Sequence, residues 1–170
     1  MKRRLSVFLS TLFGIGYIPF APGTYATAAT AIAYYYFVKS TQNSLSSLTS
    51  SIILLIFTGI IYYLGVLLST EAEKTLGHDN GKIVIDEFCG YLISVLFLPS
   101  VTIGRLWLII VYSFVFFRVF DITKPWPIGK SQNLKAGWGI MTDDFIAGVY
   151  ANLLLQIIIK IYPNFFGIYN

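Results

Sequence analysis

Residues 51–69 read SIILLIFTGIIYYLGVLLS, nineteen positions without one charged side chain. A helix needs about 20 predominantly apolar residues to cross ~30 Å of hydrocarbon, so this stretch predicts a membrane span. Working outward, residues 104–120 and 145–162 are apolar over comparable lengths. Shorter apolar stretches at 24–38 and 87–98 bring the candidate helices to five, the 87–98 one too short to span comfortably. Pro99-Ser100 reads as a turn after it, and the Ser/Thr-rich stretch from Ser40 to Ser51 as a linker. The chain is 56% hydrophobic and 12% charged, with a mean hydropathy of +0.71, well outside the soluble norm. No internal repeat or low-complexity segment breaks it up. The expected architecture is one domain over residues 1–170: an all-α, multi-pass membrane helical bundle of about five helices, some short or interfacial.

The formal charge of +4 comes from twelve dispersed Lys and Arg residues, with no basic stripe interleaved with aromatics, so nucleic acid is not the expected partner. Anionic headgroups or a phosphorylated substrate fit the balance better. The single cysteine, Cys89, permits no internal disulfide and reads as a small packing residue. The N-terminus imitates a secretory signal, but Ile18 occupies the position three before a cut after Ala21, and Gly14, Gly16 and Pro19 interrupt the apolar run. The segment 5–21 is therefore expected to be retained at or partly in the membrane.

Basic residues favour the cytoplasmic side of a membrane protein. With Lys2, Arg3 and Arg4 on that side, the stretches 70–86 and 121–144 fall there too as loops, adding Lys74, Lys82, Lys124, Lys130 and Lys135, and Arg118 joins them from the adjoining end of the 104–120 helix. Lys39, Arg105 and Lys160 remain for the opposite side. The same arrangement puts all eight acids at or near the cytoplasmic face: Glu71, Glu73, Asp79, Asp86, Glu87, Asp121, Asp143 and Asp144. Avoidance of lipid explains why none lies mid-span, but not why none lies in the opposite loops.

Three segments carry the candidate chemistry: His78-Asp79 with Asp86-Glu87, then Arg118 to Lys124 around Asp121, then Asp143-Asp144. Asp86-Glu87 and Asp143-Asp144 are expected to open helices, where one acid satisfies the free N–H groups and the dipole. Two adjacent acids at each start exceed what capping needs and call for a cation. Carboxylates suit Mg²⁺, which binds through a few of them and shares substrate phosphate oxygens. A lone His78 and a lone cysteine do not suit zinc. On a helix Arg118, Asp121 and Lys124 share one face. They could hold a substrate phosphate beside the metal, or Arg118 and Asp121 could form a simple i, i+3 ion pair. Pro125 bars continuation of that helix, and Trp126 reads as an interfacial anchor. Gly137 to Asp144 reads as a flexible loop joining a helix start. Thr24, after Pro22-Gly23, could cap a helix or hydrogen-bond a headgroup.

With these residues in view, the chain resembles the phosphatidylglycerophosphatase A family of bacterial membrane lipid phosphatases, from about Gly14 to Ala151. The resemblance rests on Pro22-Gly23-Thr24, on His78-Asp79 with residues 83–87, on Phe117-Arg118 through Asp121 to residues 124–128, and on residues 139–144 through Ala147-Gly148. It implies a Mg²⁺-dependent phosphomonoesterase that dephosphorylates phosphatidylglycerophosphate in phospholipid synthesis, in the bacterial cytoplasmic (inner) membrane with its site facing the cytoplasm. Asp79, Asp86, Glu87, Asp121, Asp143 and Asp144 become the catalytic candidates, and Asp86, Glu87, Asp143 and Asp144 the metal candidates. Arg118, Lys124 and Thr24 are the phosphate-binding candidates. Which acid is the general base stays open.

Other chemistries fit less well. A cysteine phosphatase needs Arg six residues after its nucleophile, where Val95 follows Cys89. A phosphohistidine route would rest on His78 alone. An aspartyl-phosphate at Asp143 or Asp121 remains open. A transporter would place its acids near the midplane in repeated broken helices. A CDP-alcohol-type transferase would need paired Asp-Gly and Ala-Arg elements that are missing here. Another phospholipid phosphate remains the alternative substrate.

Overall fold

The structure, a computed structural model, describes residues 2–78 and 80–168. Three helices are long and apolar enough to cross a membrane: α3 (Ser47–Leu76), α5 (Ile103–Thr123) and α7 (Gly137–Ile161). Around them lie α1 (Lys2–Ser10), α2 (Pro22–Thr41), the short α4 (Ile85–Ser94), and the single turns α6 (Ile128–Ser131) and α8 (Pro163–Phe166). A 3₁₀ turn at Ile15–Tyr17 joins α1 to α2. Every regular element among the described residues is helical. The five expected helices are all present. α2 has 20 residues, but Thr24, Thr27, Thr30 and Thr41 dilute its apolar character and it is not one of the three.

Two expected loops are partly helical. α3 runs on through Glu71, Glu73 and Lys74 to Leu76, where Gly77 at φ 98° ends it. Thirty residues at 1.5 Å each make ~45 Å of helix, more than a bilayer core, so its charged last turns extend beyond the hydrocarbon. Lys74 stabilises that end by pairing with Glu71 at 2.5 Å. Likewise, Gly137 to Asp144 is not a flexible loop but the first two turns of α7. Its start is held against α3, where the Gly137 N–H donates to Thr70 Oγ1 at 3.0 Å.

α4 is the centre of the bundle, packed against α2, α3, α5 and α7. At its contact with α7, a Cβ on Gly148 would lie 2.2 Å from the Gly90 carbonyl oxygen, and one on Gly90 would lie 2.4 Å from the Phe117 ring. No other residue type permits that approach. The fully buried Phe117 of α5 wedges beside it. A helix ending inside the bundle leaves carbonyls that lipid cannot satisfy. Asn152 of α7 answers this by donating to the carbonyls of Ser94 at 3.0 Å and Leu96 at 2.8 Å.

Candidate active site

The glycine contact between α4 and α7 determines where the acids fall. Asp86 and Glu87 precede Gly90, and Asp143 and Asp144 precede Gly148, each by about one turn, so both pairs lie at the same level on facing helices. Asp121 follows Phe117 by four residues and comes to that level from α5. The three helices thus bring five carboxylates to the wall of a cavity of about 140 Å³, which Gly23, Asn80, Gly81 and Lys124 also line. Asp79 lies outside the described residues. His78 pairs with Glu73 at 2.6 Å on an exposed surface and is not part of the cavity lining.

Two cations are woven among the acids. Arg118 pairs with Glu87 and, at 2.9 Å, with Asp121, so the i, i+3 ion pair considered from the sequence is present. Arg118 lies behind the carboxylates rather than on the cavity wall. Lys124 reaches Asp143 at 2.7 Å from the wall itself. Its backbone is left-handed, at φ 43°, the C-cap conformation of α5, which Pro125 keeps from continuing as a helix. α5 ends there, and the side chain turns towards α7. Five carboxylates against two cations leave a surplus of three formal negative charges.

The acids differ in support. Asp86 opens onto the cavity yet sits deep in protein. Desolvation first, then the charges of Glu87 and Asp143, holds its carboxyl well above the usual range. Burial also raises Glu87, reinforced by Asp121 and opposed by Arg118 and Thr27. Burial pulls Lys124 down, but the hydrogen bond and charge of Asp143, together with the charges of Asp121 and Asp144, outweigh that and leave it above an ordinary lysine. In each pair the second residue's N–H donates to the first carboxylate at 3.0 Å: Glu87 to Asp86 and Asp144 to Asp143. Neither α7 acid caps its helix, which begins six residues before Asp143. Asp144 Oδ2 is buried with no hydrogen-bond partner.

The first turns of α2 supply what the sequence did not signal. Thr27, wholly buried, donates to Glu87 Oε2 at 2.9 Å and lies at the same distance from the Gly23 carbonyl. At Gly23 a Cβ would lie 1.8 Å from Glu87 Oε1. The Pro22-Gly23-Thr24 signature therefore meets the site through its glycine. Thr24 stands inside α2, whose cap is Ala21, and does not line the cavity. The i+4 spacing of Gly23 and Thr27 was the available clue.

The donor set is wholly hard oxygen, and the surplus charge with the unpartnered Asp144 oxygen fits a divalent cation such as Mg²⁺. Among the described residues no three Asp, Glu, His or Cys side chains form a ready-made ligand group. Mg²⁺ does not demand one, since it binds through one or two carboxylates and keeps several waters.

The family model for phosphatidylglycerophosphatase A matches residues 8–159. A Bacteroides thetaiotaomicron protein with the provisional name phosphatidylinositol-3-phosphatase is 35% identical over 92% of this chain and 96% of its own. Phosphatidylglycerophosphatase A of Haemophilus influenzae is 38% identical over 86% of this chain and 84% of its own. The Escherichia coli protein of that name is 38% identical over 88% and 81%. No solved structure matches the chain. The match along most of its length, on a helical frame that gathers the acids of all the family signatures falling within the described residues, means that the chain belongs to the phosphatidylglycerophosphatase A family of phosphoric monoester hydrolases.

Proposed function

We propose that this protein hydrolyses the terminal phosphomonoester of phosphatidylglycerophosphate, giving phosphatidylglycerol and inorganic phosphate for phospholipid synthesis. The reaction is Mg²⁺-dependent and takes place at the cytoplasmic face of the bacterial inner membrane. The observation that carries this reading is the convergence of five carboxylates and Lys124 on one cavity at the end of the bundle bearing most of the basic residues. Asp86, Glu87, Asp143 and Asp144 are the candidates among which one or two carboxylates would hold the cation. Bound there, it would supply Lewis-acid polarisation of the phosphoryl oxygens and a more acidic water.

The chain's own residues do the rest. Lys124 offers its ammonium to an equatorial phosphate oxygen while keeping Asp143 oriented. Arg118 and Thr27 hold Glu87 from behind, so that it does not turn away from the cavity. Asp121, tied to Arg118, or Asp79 accepts a proton from the attacking water as general base. In-line attack by water on phosphorus breaks the bond to the lipid oxygen, which leaves as the alcohol by taking up the proton the general base removed from the water, directly or through solvent.

A second headgroup, a phosphorylated inositol, is favoured by the name of the Bacteroides relative, and among the described residues none lining the cavity reads glycerol against inositol. The experiment is phosphate release by detergent-purified protein from phosphatidylglycerophosphate and from phosphatidylinositol 3-phosphate, with Mg²⁺ or EDTA. Mg²⁺-dependent release from the first, abolished in folded Asp86→Asn and Asp143→Asn proteins, is the expected result. Release only from the second overturns the substrate. Release indifferent to EDTA overturns the cation.

A further inference from the structure

The segment between α1 and α2 is built against the usual rules for a loop in water. Phe20 is wholly exposed and Phe13 is 68% exposed, with Tyr17 and Ile18 exposed between them and Leu5 and Phe8 exposed on α1. The backbone is costly as well. Leu12, Phe13 and Phe20 adopt left-handed conformations, at φ 45°, 58° and 74°, which bulky residues rarely enter. Aromatic rings held outward by an unfavourable backbone gain nothing from water, but they gain free energy from hydrocarbon.

Three further observations select a lipid leaflet as the occupant. Exposed Lys82 lies against the segment, its Nζ 5.1 Å from the Tyr17 ring centre and its carbonyl oxygen where a Cβ on Gly16 would fall, so a cation accompanies the rings as anionic headgroups require. Exposed Tyr25 on the first turn of α2 adds a further aromatic ring just beyond Phe20. The segment is also tied to the acidic cavity. The Val84 N–H donates to the Ser10 carbonyl at 2.9 Å, two residues before Asp86, and Phe20 lies three residues before Gly23.

We propose that residues 13–20 dip into the bilayer interface as a phospholipid-binding lip, through which a lipid phosphate passes sideways from the leaflet into the acidic cavity. The passage of substrate rests on the lipid-phosphatase reading, whereas insertion of the lip does not.

The test uses the full chain in phosphatidylglycerol–phosphatidylcholine vesicles, with Phe20→Cys carrying an environment-sensitive fluorophore. Cys89 is fully buried, so wild type serves as the unlabelled control. Quenching by lipids spin-labelled high on the acyl chain, with protection from iodide, is the expected result. Iodide quenching without lipid quenching overturns the lip, as does protection from both, which a covering protein or second copy would give. In a second arm, Phe13→Ser with Phe20→Ser should weaken hydrolysis of vesicle-borne phosphatidylglycerophosphate by about tenfold or more through interfacial KM. Hydrolysis of a water-dispersed short-chain analogue should change by less than about twofold. Equal loss on both overturns the route. If wild type hydrolyses neither, the lipid-phosphatase reading fails while the quenching still decides the lip.

Discussion

The two ends of the bundle each contain a cavity, and the larger one lacks the chemistry. At the end away from the acids, about 240 Å³ lies among Tyr34, Phe37, Leu54, Leu98 and Ile109, with the hydroxyls of Ser47, Ser50 and Ser51 at its margin. Among the described residues, none that lines it is charged. The acidic cavity is smaller, at about 140 Å³, but five carboxylates and a lysine line it. What distinguishes a site here is convergent, unbalanced charge held in place from behind, not room. The far end marks where α4 stops short.

That contrast can be broken most sharply at the acids. Asp86→Asn or Asp143→Asn should lower phosphate release by roughly a thousandfold or more while the protein still folds, and a mild loss would mean that the surplus charge has another purpose. The next largest effect is expected beneath them. Gly148→Ala drives a methyl towards the Gly90 carbonyl, and overpacking of about 1–3 kcal/mol should appear as a lower melting temperature together with lost activity; unchanged stability would refute the close contact. Thr27→Val should cost about tenfold in turnover, or ~1.4 kcal/mol, close to the lower end of what a hydrogen bond to a charged group contributes, with Thr27→Ser restoring most of it. A loss shared equally by Val and Ser would make Thr27 a packing residue only. The smallest effect belongs to the far cavity, where Ser51→Ala should leave turnover within about twofold; a large loss there would dissolve the distinction between the ends.

Much of this was legible because lipid imposes simple rules on sequence. The spans follow from uninterrupted apolar length, and the clustering of Asp86, Glu87, Asp121, Asp143 and Asp144 follows from the exclusion of charge from hydrocarbon and the alternation of helix direction. The true ends of α3 and α7 were hidden. Glu71 and Lys74 look like loop residues to a hydropathy reading, yet they are good helix formers. Gly137 and Gly139 look flexible, although in α7 glycine allows close packing rather than bending. Thr27 and Asn152 carried no signal on their own, since each acquires its role only from a partner on another helix.

The same frame also fixes a register. Asp86, Gly90 and Ser94 on α4 run beside Asp144, Gly148 and Asn152 on α7, two parallel helices with matched four-residue steps. The glycine contact and the Asn152 hydrogen bond to Ser94 are two marks on one scale, and the acids are the third. Substitutions can be absorbed singly at many positions of such a scale, but a change of length cannot. One residue inserted between Glu87 and Ser94 would rotate the acidic pair by about 100° relative to the Asn152 anchor. Chain length between Asp86 and Ser94 is therefore as much a determinant of the site as the identity of its carboxylates.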